Sequence, residues 1–128
     1  MRDIATIVVI LLISLLVSTI CFGSNFDSFI PDSPRKVNLL ANAIYKAENS
    51  KKFPYGIKSV PCNGELKCRE ICKNTIINNI KRWKKSGKST YLEFLANRYA
   101  PVGVSNDPSG LNEHWLKNVK FFLNKELK

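Results

Sequence analysis

The chain has 128 residues, with Lys+Arg 20 against Asp+Glu 10 and a formal net charge of +10 at pH 7. That length makes one domain rather than two. A composition that is 45% hydrophobic and 10% aromatic supports a packed core and excludes wholesale disorder, while 6 Gly and 6 Pro exclude collagen-like and low-complexity chains. His114 is the single histidine, so two-His zinc motifs are excluded. Neither of the glycine-loop motifs that cradle phosphates occurs, and there is no internal repeat.

Residues 4–20 form an uncharged apolar run, preceded by Arg2 and followed by the small residues Gly23 and Ser24. This segment, 1–24, reads as a secretory signal peptide cleaved near Gly23 or Ser24, or alternatively as an uncleaved N-terminal membrane anchor. A lipoprotein signal at Cys21 is disfavoured because Ile20, not a small residue, precedes it. Both readings export residues 25–128 to the periplasm, the cell envelope or the extracellular space. Such compartments permit disulfides. Cys62, Cys68 and Cys72 allow one bridge and leave one thiol over. Cys68 and Cys72 are i,i+4 on a predicted helix, so Cys62 in the preceding loop pairs with one or the other. A zinc site would have to combine these three with His114, and that spacing fits no usual zinc pattern. No metal and no cofactor are expected.

Residues 25–33 read as a polar linker. A first helix then opens with Ser33 as N-cap and Pro34 at its first position. Val37, Leu40, Ala43, Ile44 and Ala47 recur at helical spacing up to Glu48. Residues 49–67 are broken by Pro54, Gly56, Pro61 and Gly64, and Tyr55 to Val60 is a candidate short strand or part of a small hairpin. A second helix is predicted over about 67–85, with Cys68, Ile71 or Cys72, Ile76, Ile80 and Trp83 inward, ending at Ser86-Gly87. A third starts at the capping box Thr90-x-x-Glu93, carries Leu92, Phe94, Leu95 and Tyr99, and stops at Pro101. A turn-rich loop over 101–110 leads to a fourth helix near Asn112, with Trp115, Leu116, Val119, Phe122 and Leu123 inward. Trp83 and Trp115 both read as core. The expected fold is mainly α: about four helices, with a long structured loop or small β-hairpin after the first.

Glu48 is the candidate reactive group. A carboxylate at a helix C-terminus opposes the macrodipole, and Tyr45, Phe53 and Tyr55 supply an apolar wall beside it. Both effects raise a carboxyl pKa, as a general acid working near neutrality requires. The competing reading is a solvated Glu that ends an amphipathic helix.

The segment Ala43-Ile44-Tyr45-Lys46-Ala47-Glu48-Asn49-Ser50, followed by Tyr55-Gly56-Ile57, resembles the catalytic region of lysozyme-like lytic transglycosylases. The later run Phe94-Leu95-Ala96-Asn97-Arg98-Tyr99-Ala100-Pro101, with Asn106-Asp107 and Trp115-x-x-Asn118-Val119, resembles small murein-degrading domains of the same superfamily. The two motifs span most of residues 36–124. Asn49 between Glu48 and Ser50, Lys58 after Ile57, and the cysteine-bearing insert at 61–72 depart from the family pattern. The resemblance implies an α+β lysozyme-like domain over 34–128 that cleaves the bond between N-acetylmuramic acid and N-acetylglucosamine. Glu48 is then the general acid/base, and Ser50, Tyr55, Gly56, Arg98, Tyr99 and Asn106 are substrate contacts.

A hydrolase (muramidase) needs a second carboxylate, for which Asp107, Glu65, Glu70, Glu93 and Glu113 are candidates. A lytic transglycosylase uses the same Glu as acid and then as base. The basic charge, densest at Lys51-Lys52, Lys81-Arg82 and Lys84-Lys85, suits peptidoglycan strands or an anionic membrane surface. No nucleic-acid-binding signature accompanies it. A monomer is expected. The alternative function is a non-catalytic cell-wall-binding or envelope-interaction protein on the same scaffold.

Overall fold

The computed structural model describes residues 26–87, 90–105, 107 and 110–128. The expected signal or anchor segment 1–24 and the site candidate Asn106 lie outside the described residues. Four α-helices follow a short 3-10 turn at Phe26–Ser28: α1 at Pro34–Glu48, α2 at Glu65–Ser86, α3 at Tyr91–Tyr99 and α4 at Asn112–Glu126.

Each helix boundary has a local cause. At the start of α1 the Ser33 hydroxyl accepts the Lys36 N–H at 3.3 Å, and Pro34 needs no hydrogen bond at the first position. At its end Asn49 adopts φ 44 in the left-handed region, and its N–H donates to the Tyr45 carbonyl at 3.2 Å. Asn tolerates that conformation better than most residues, so the chain reverses there. Gly87, with φ 68, ends α2 in the same way. The Thr90 hydroxyl accepts the Glu93 N–H at 3.3 Å and starts α3. The Asp107 carboxylate starts α4 by accepting from Leu111 N–H at 3.0 Å and Asn112 N–H at 3.1 Å.

The helical periodicity then dictates the packing. α1 lies along α4, α2 packs on α1, and α3 bridges α2 and α4. Leu40 and Ile44 of α1, Cys72 and Ile76 of α2, Leu92 and Leu95 of α3, and Val119 and Leu123 of α4 meet in one core. Burying each large aliphatic side chain stabilises the fold by about 1.5–3 kcal/mol. Glu126 closes the α1–α4 pair by pairing with Lys46 and accepting from the Asn42 amide at 3.2 Å. Tyr91, unassigned in the sequence reading, is fully buried; its hydroxyl donates to the Ile76 carbonyl at 2.8 Å. Trp83 is only half-buried, edge-on to the Tyr91 ring at 5.9 Å.

Two expectations change. The candidate strand or hairpin at Tyr55–Val60 is a run of turns and bends, and no strand occurs among the described residues. An isolated hairpin is marginal without a third strand or a covering helix. Here Tyr55 is drawn into the helical core, and Gly56 turns the chain at φ 71. The cysteine ambiguity resolves as Cys62–Cys68, with Cα atoms 5.1 Å apart, and Cys72 as a free buried thiol. Cys68 lies in the first turn of α2 beside the loop, whereas Cys72 lies one turn further along, at 0% exposure in the core. Among the described residues no helix is long and apolar enough to cross a membrane. No group of three metal-ligating side chains occurs among them either.

Candidate active site

Glu48 ends α1, and the reversal at Asn49 sends residues 50–56 back across its carboxyl group. The Ser50 hydroxyl accepts the Phe53 N–H at 3.1 Å, and the Gly56 N–H donates to the Phe53 carbonyl at 2.9 Å. These two bonds shape the turn that delivers Gly56. A Cβ on Gly56 would collide with the Glu48 carboxyl carbon and both its oxygens, 2.8 Å from the more distant, Oε2. The site therefore requires glycine twice over, for the positive φ and for the close approach.

The second partner comes from α4. The Trp115 indole N–H donates to Glu48 Oε1 at 2.7 Å. Trp115 is 7% exposed, and the Tyr99 ring stacks on it with centroids 4.9 Å apart and planes at 23°. The Tyr99 hydroxyl donates to the Tyr55 carbonyl, one residue before Gly56, and lies 3.8 Å from Cys72 Sγ. Five residues thus form a closed circuit: Glu48, Trp115, Tyr99, Tyr55 and Gly56.

Burial pushes the Glu48 carboxyl above its ordinary value. The Trp115 hydrogen bond and the Lys58 charge, both of which favour the carboxylate, offset this only in part. Burial likewise raises the Tyr99 hydroxyl, and pushes the Cys72 thiol up to about 12. Both groups therefore stay neutral while Glu48 titrates. The arrangement presents one carboxyl group that holds its proton to higher pH than an ordinary carboxylic acid, inside an aromatic and glycine wall.

The other sequence candidates scatter. Gly56 and Tyr99 join Glu48. Tyr55, expected to line a sugar site, is 2% exposed; its ring packs against Tyr45 at 5.3 Å and its hydroxyl accepts from Arg69 at 3.3 Å. Ser50 serves the turn. Arg98 is exposed on α3. Among the proposed second carboxylates, Asp107 caps α4, Glu70 pairs with Lys67 at 3.0 Å, and Glu65, Glu93 and Glu113 are exposed. Trp115 is the residue that sequence reasoning missed. Its apolar register placed it in the core, and that is where it lies. The clue was chemical: a buried indole N–H needs an acceptor.

A groove of about 850 Å³ lies by the end of α1, lined by Tyr45, Lys51, Lys52, the Cys62–Cys68 bridge and Phe122. Asn49 and Ser50 line it; Glu48, held against Gly56 and Trp115, does not. No protein-family model matches the chain, and no curated protein or solved structure is significantly similar to it.

Proposed function

We propose that this chain is an exported peptidoglycan-cleaving enzyme, acting on the bond between N-acetylmuramic acid and N-acetylglucosamine with Glu48 as general acid/base. One observation carries the reading: the Glu48 carboxyl is half-buried at a helix end, covered by Gly56 and held by Trp115, with its pKa raised by burial. In the first step the Glu48 acid protonates the glycosidic oxygen, and the bond to the muramyl C1 breaks. The resulting carboxylate then removes a proton from the sugar's own C6 hydroxyl, whose oxygen closes on C1. The products are a 1,6-anhydro sugar and a regenerated acid. This one-carboxylate route is favoured over hydrolysis because the other candidate acids cap a helix or face solvent.

The test is digestion of peptidoglycan by wild type and Glu48→Gln, with mass spectrometry of the soluble products. The expected result is anhydro-muropeptides from wild type and a loss of at least about a thousandfold in Glu48→Gln. Reducing-end products would replace the transglycosylase with a muramidase. No products from folded wild type would sink the enzyme reading. A second reading, a non-catalytic wall-binding protein, draws on the groove, which offers Lys51, Lys52, Tyr45 and Phe122 to a polyanion without involving Glu48. In that case Glu48→Gln binds wall fragments as wild type does, and neither cleaves them.

A further inference from the structure

We infer that Trp115 is the positioning residue of Glu48: its indole N–H assigns Oε1 as the accepting oxygen and leaves the acidic proton on Oε2, while Tyr99 clamps both walls of the site. An indole N–H can only donate. The oxygen it reaches, at 2.7 Å, is therefore the one without the proton when the carboxyl is neutral. Gly56 crowds the same carboxyl group, too close to admit even a methyl group, and Oε1 is the atom nearest its Cβ position. Trp115 itself is fixed by the stacked Tyr99 ring. The hydroxyl of the same Tyr99 holds the Tyr55 carbonyl and with it the turn of backbone that carries Gly56. One side chain of α3 thus sets the indole and the glycine wall together. A proton donor restricted to one oxygen and one direction is what a positioned general acid needs. This deepens the catalytic reading of Glu48 and rests on it for its consequence in turnover, but the geometry is testable without activity.

The charged and titratable groups around the carboxyl are Lys58 from the loop, Tyr99 from α3 and Cys72 from α2. The test is NMR titration of the full chain, following the Glu48 side-chain carboxyl carbon and the two indole N–H protons, with Trp83 as internal control. The Trp115 N–H is expected to move with the same midpoint as the Glu48 carbon. In Glu48→Gln that movement disappears, which assigns it to the Glu48 carboxyl. In Trp115→Phe the Glu48 midpoint moves up, because the donor that favours the carboxylate is gone while the wall remains. Turnover of peptidoglycan by Trp115→Phe falls about tenfold.

A Trp115 N–H that ignores Glu48 overturns the inference. So does a Glu48 midpoint in Trp115→Phe that stays put or falls, as it would if the ring merely packed and its loss admitted water. If Trp115→Phe does not fold, the wild-type and Glu48→Gln titrations decide alone. An inert wild type with coupled titrations intact overturns the enzyme reading and leaves the hold of Trp115 on Glu48 established.

Discussion

Glu48 is held where its proton is favoured and its charge is not, and this has a consequence for stability. The folded chain binds that proton more tightly than the unfolded chain, whose carboxyl keeps its ordinary value near 4.5. The contribution to stability is therefore complete below that value and is lost as pH rises through the higher folded-state pKa. Above that folded-state pKa the ionised Glu48 is a cost to the fold. Gln is a neutral match in shape, and its amide oxygen accepts the Trp115 N–H as Oε1 does. Glu48→Gln is thus expected to melt at a higher temperature than wild type at pH 7, with the gap closing towards pH 4. Thermal unfolding followed by circular dichroism across that range checks it; a Gln variant that melts lower at pH 7 would mean the carboxylate is stabilising there. The burial at the root of this was half legible in the sequence. Glu48 at the end of an apolar helix face pointed to a strained carboxyl, but its donor, 67 residues later, did not announce itself.

Among the elements, the 49–64 loop does most to build the site, and it has little secondary structure to hold it. Three anchors replace a ladder of backbone hydrogen bonds. Tyr55 is buried, the Tyr99 hydroxyl takes its carbonyl, and the Cys62–Cys68 bridge ties the end of the loop to the first turn of α2. That turn needs the help, because Gly64 at its N-cap offers no side-chain acceptor. Removing the bridge by Cys62→Ser is expected to cost about 2 kcal/mol, the chain-entropy value for so short a loop. Denaturant unfolding reads the stability loss. Amide hydrogen exchange should show faster exchange at residues 65–68 and little change in α4, since α4 is anchored by α1 and the Asp107 cap rather than by the loop. Helix limits were the most legible part of the chain. Ser33-Pro34, Thr90-x-x-Glu93 and Ser86-Gly87 are local signals, and they operate within a single turn of backbone. The predicted hairpin failed for the opposite reason: its alternative partners, Arg69 and Tyr99, lie on other helices.

At the scale of the whole molecule, the net charge of +10 is spread over exposed side chains such as Lys51, Lys52, Lys81, Arg82, Lys84 and Lys85, rather than used in buried pairs. Charges of this kind raise the rate of encounter with a polyanion and are screened by salt. Binding to peptidoglycan fragments is expected to weaken by about tenfold between roughly 50 and 500 mM NaCl, equally in wild type and Glu48→Gln, as measured by co-sedimentation with insoluble wall. Salt-independent binding would assign the contact to the aromatic surfaces instead. What the sequence by itself determined is whatever depends on neighbours along the chain: four helices, the N-caps of the first and third, the glycine that ends the second, most of each apolar face, and an acid at the end of the first. What only the tertiary structure decided is who meets that acid. Gly56, Tyr99 and Trp115 come from a loop and two further helices, and hydrogen bonds and ring stacking between them depend on how the helices pack. Helical periodicity marks a side chain as inward-facing; it does not name the group waiting on the other side.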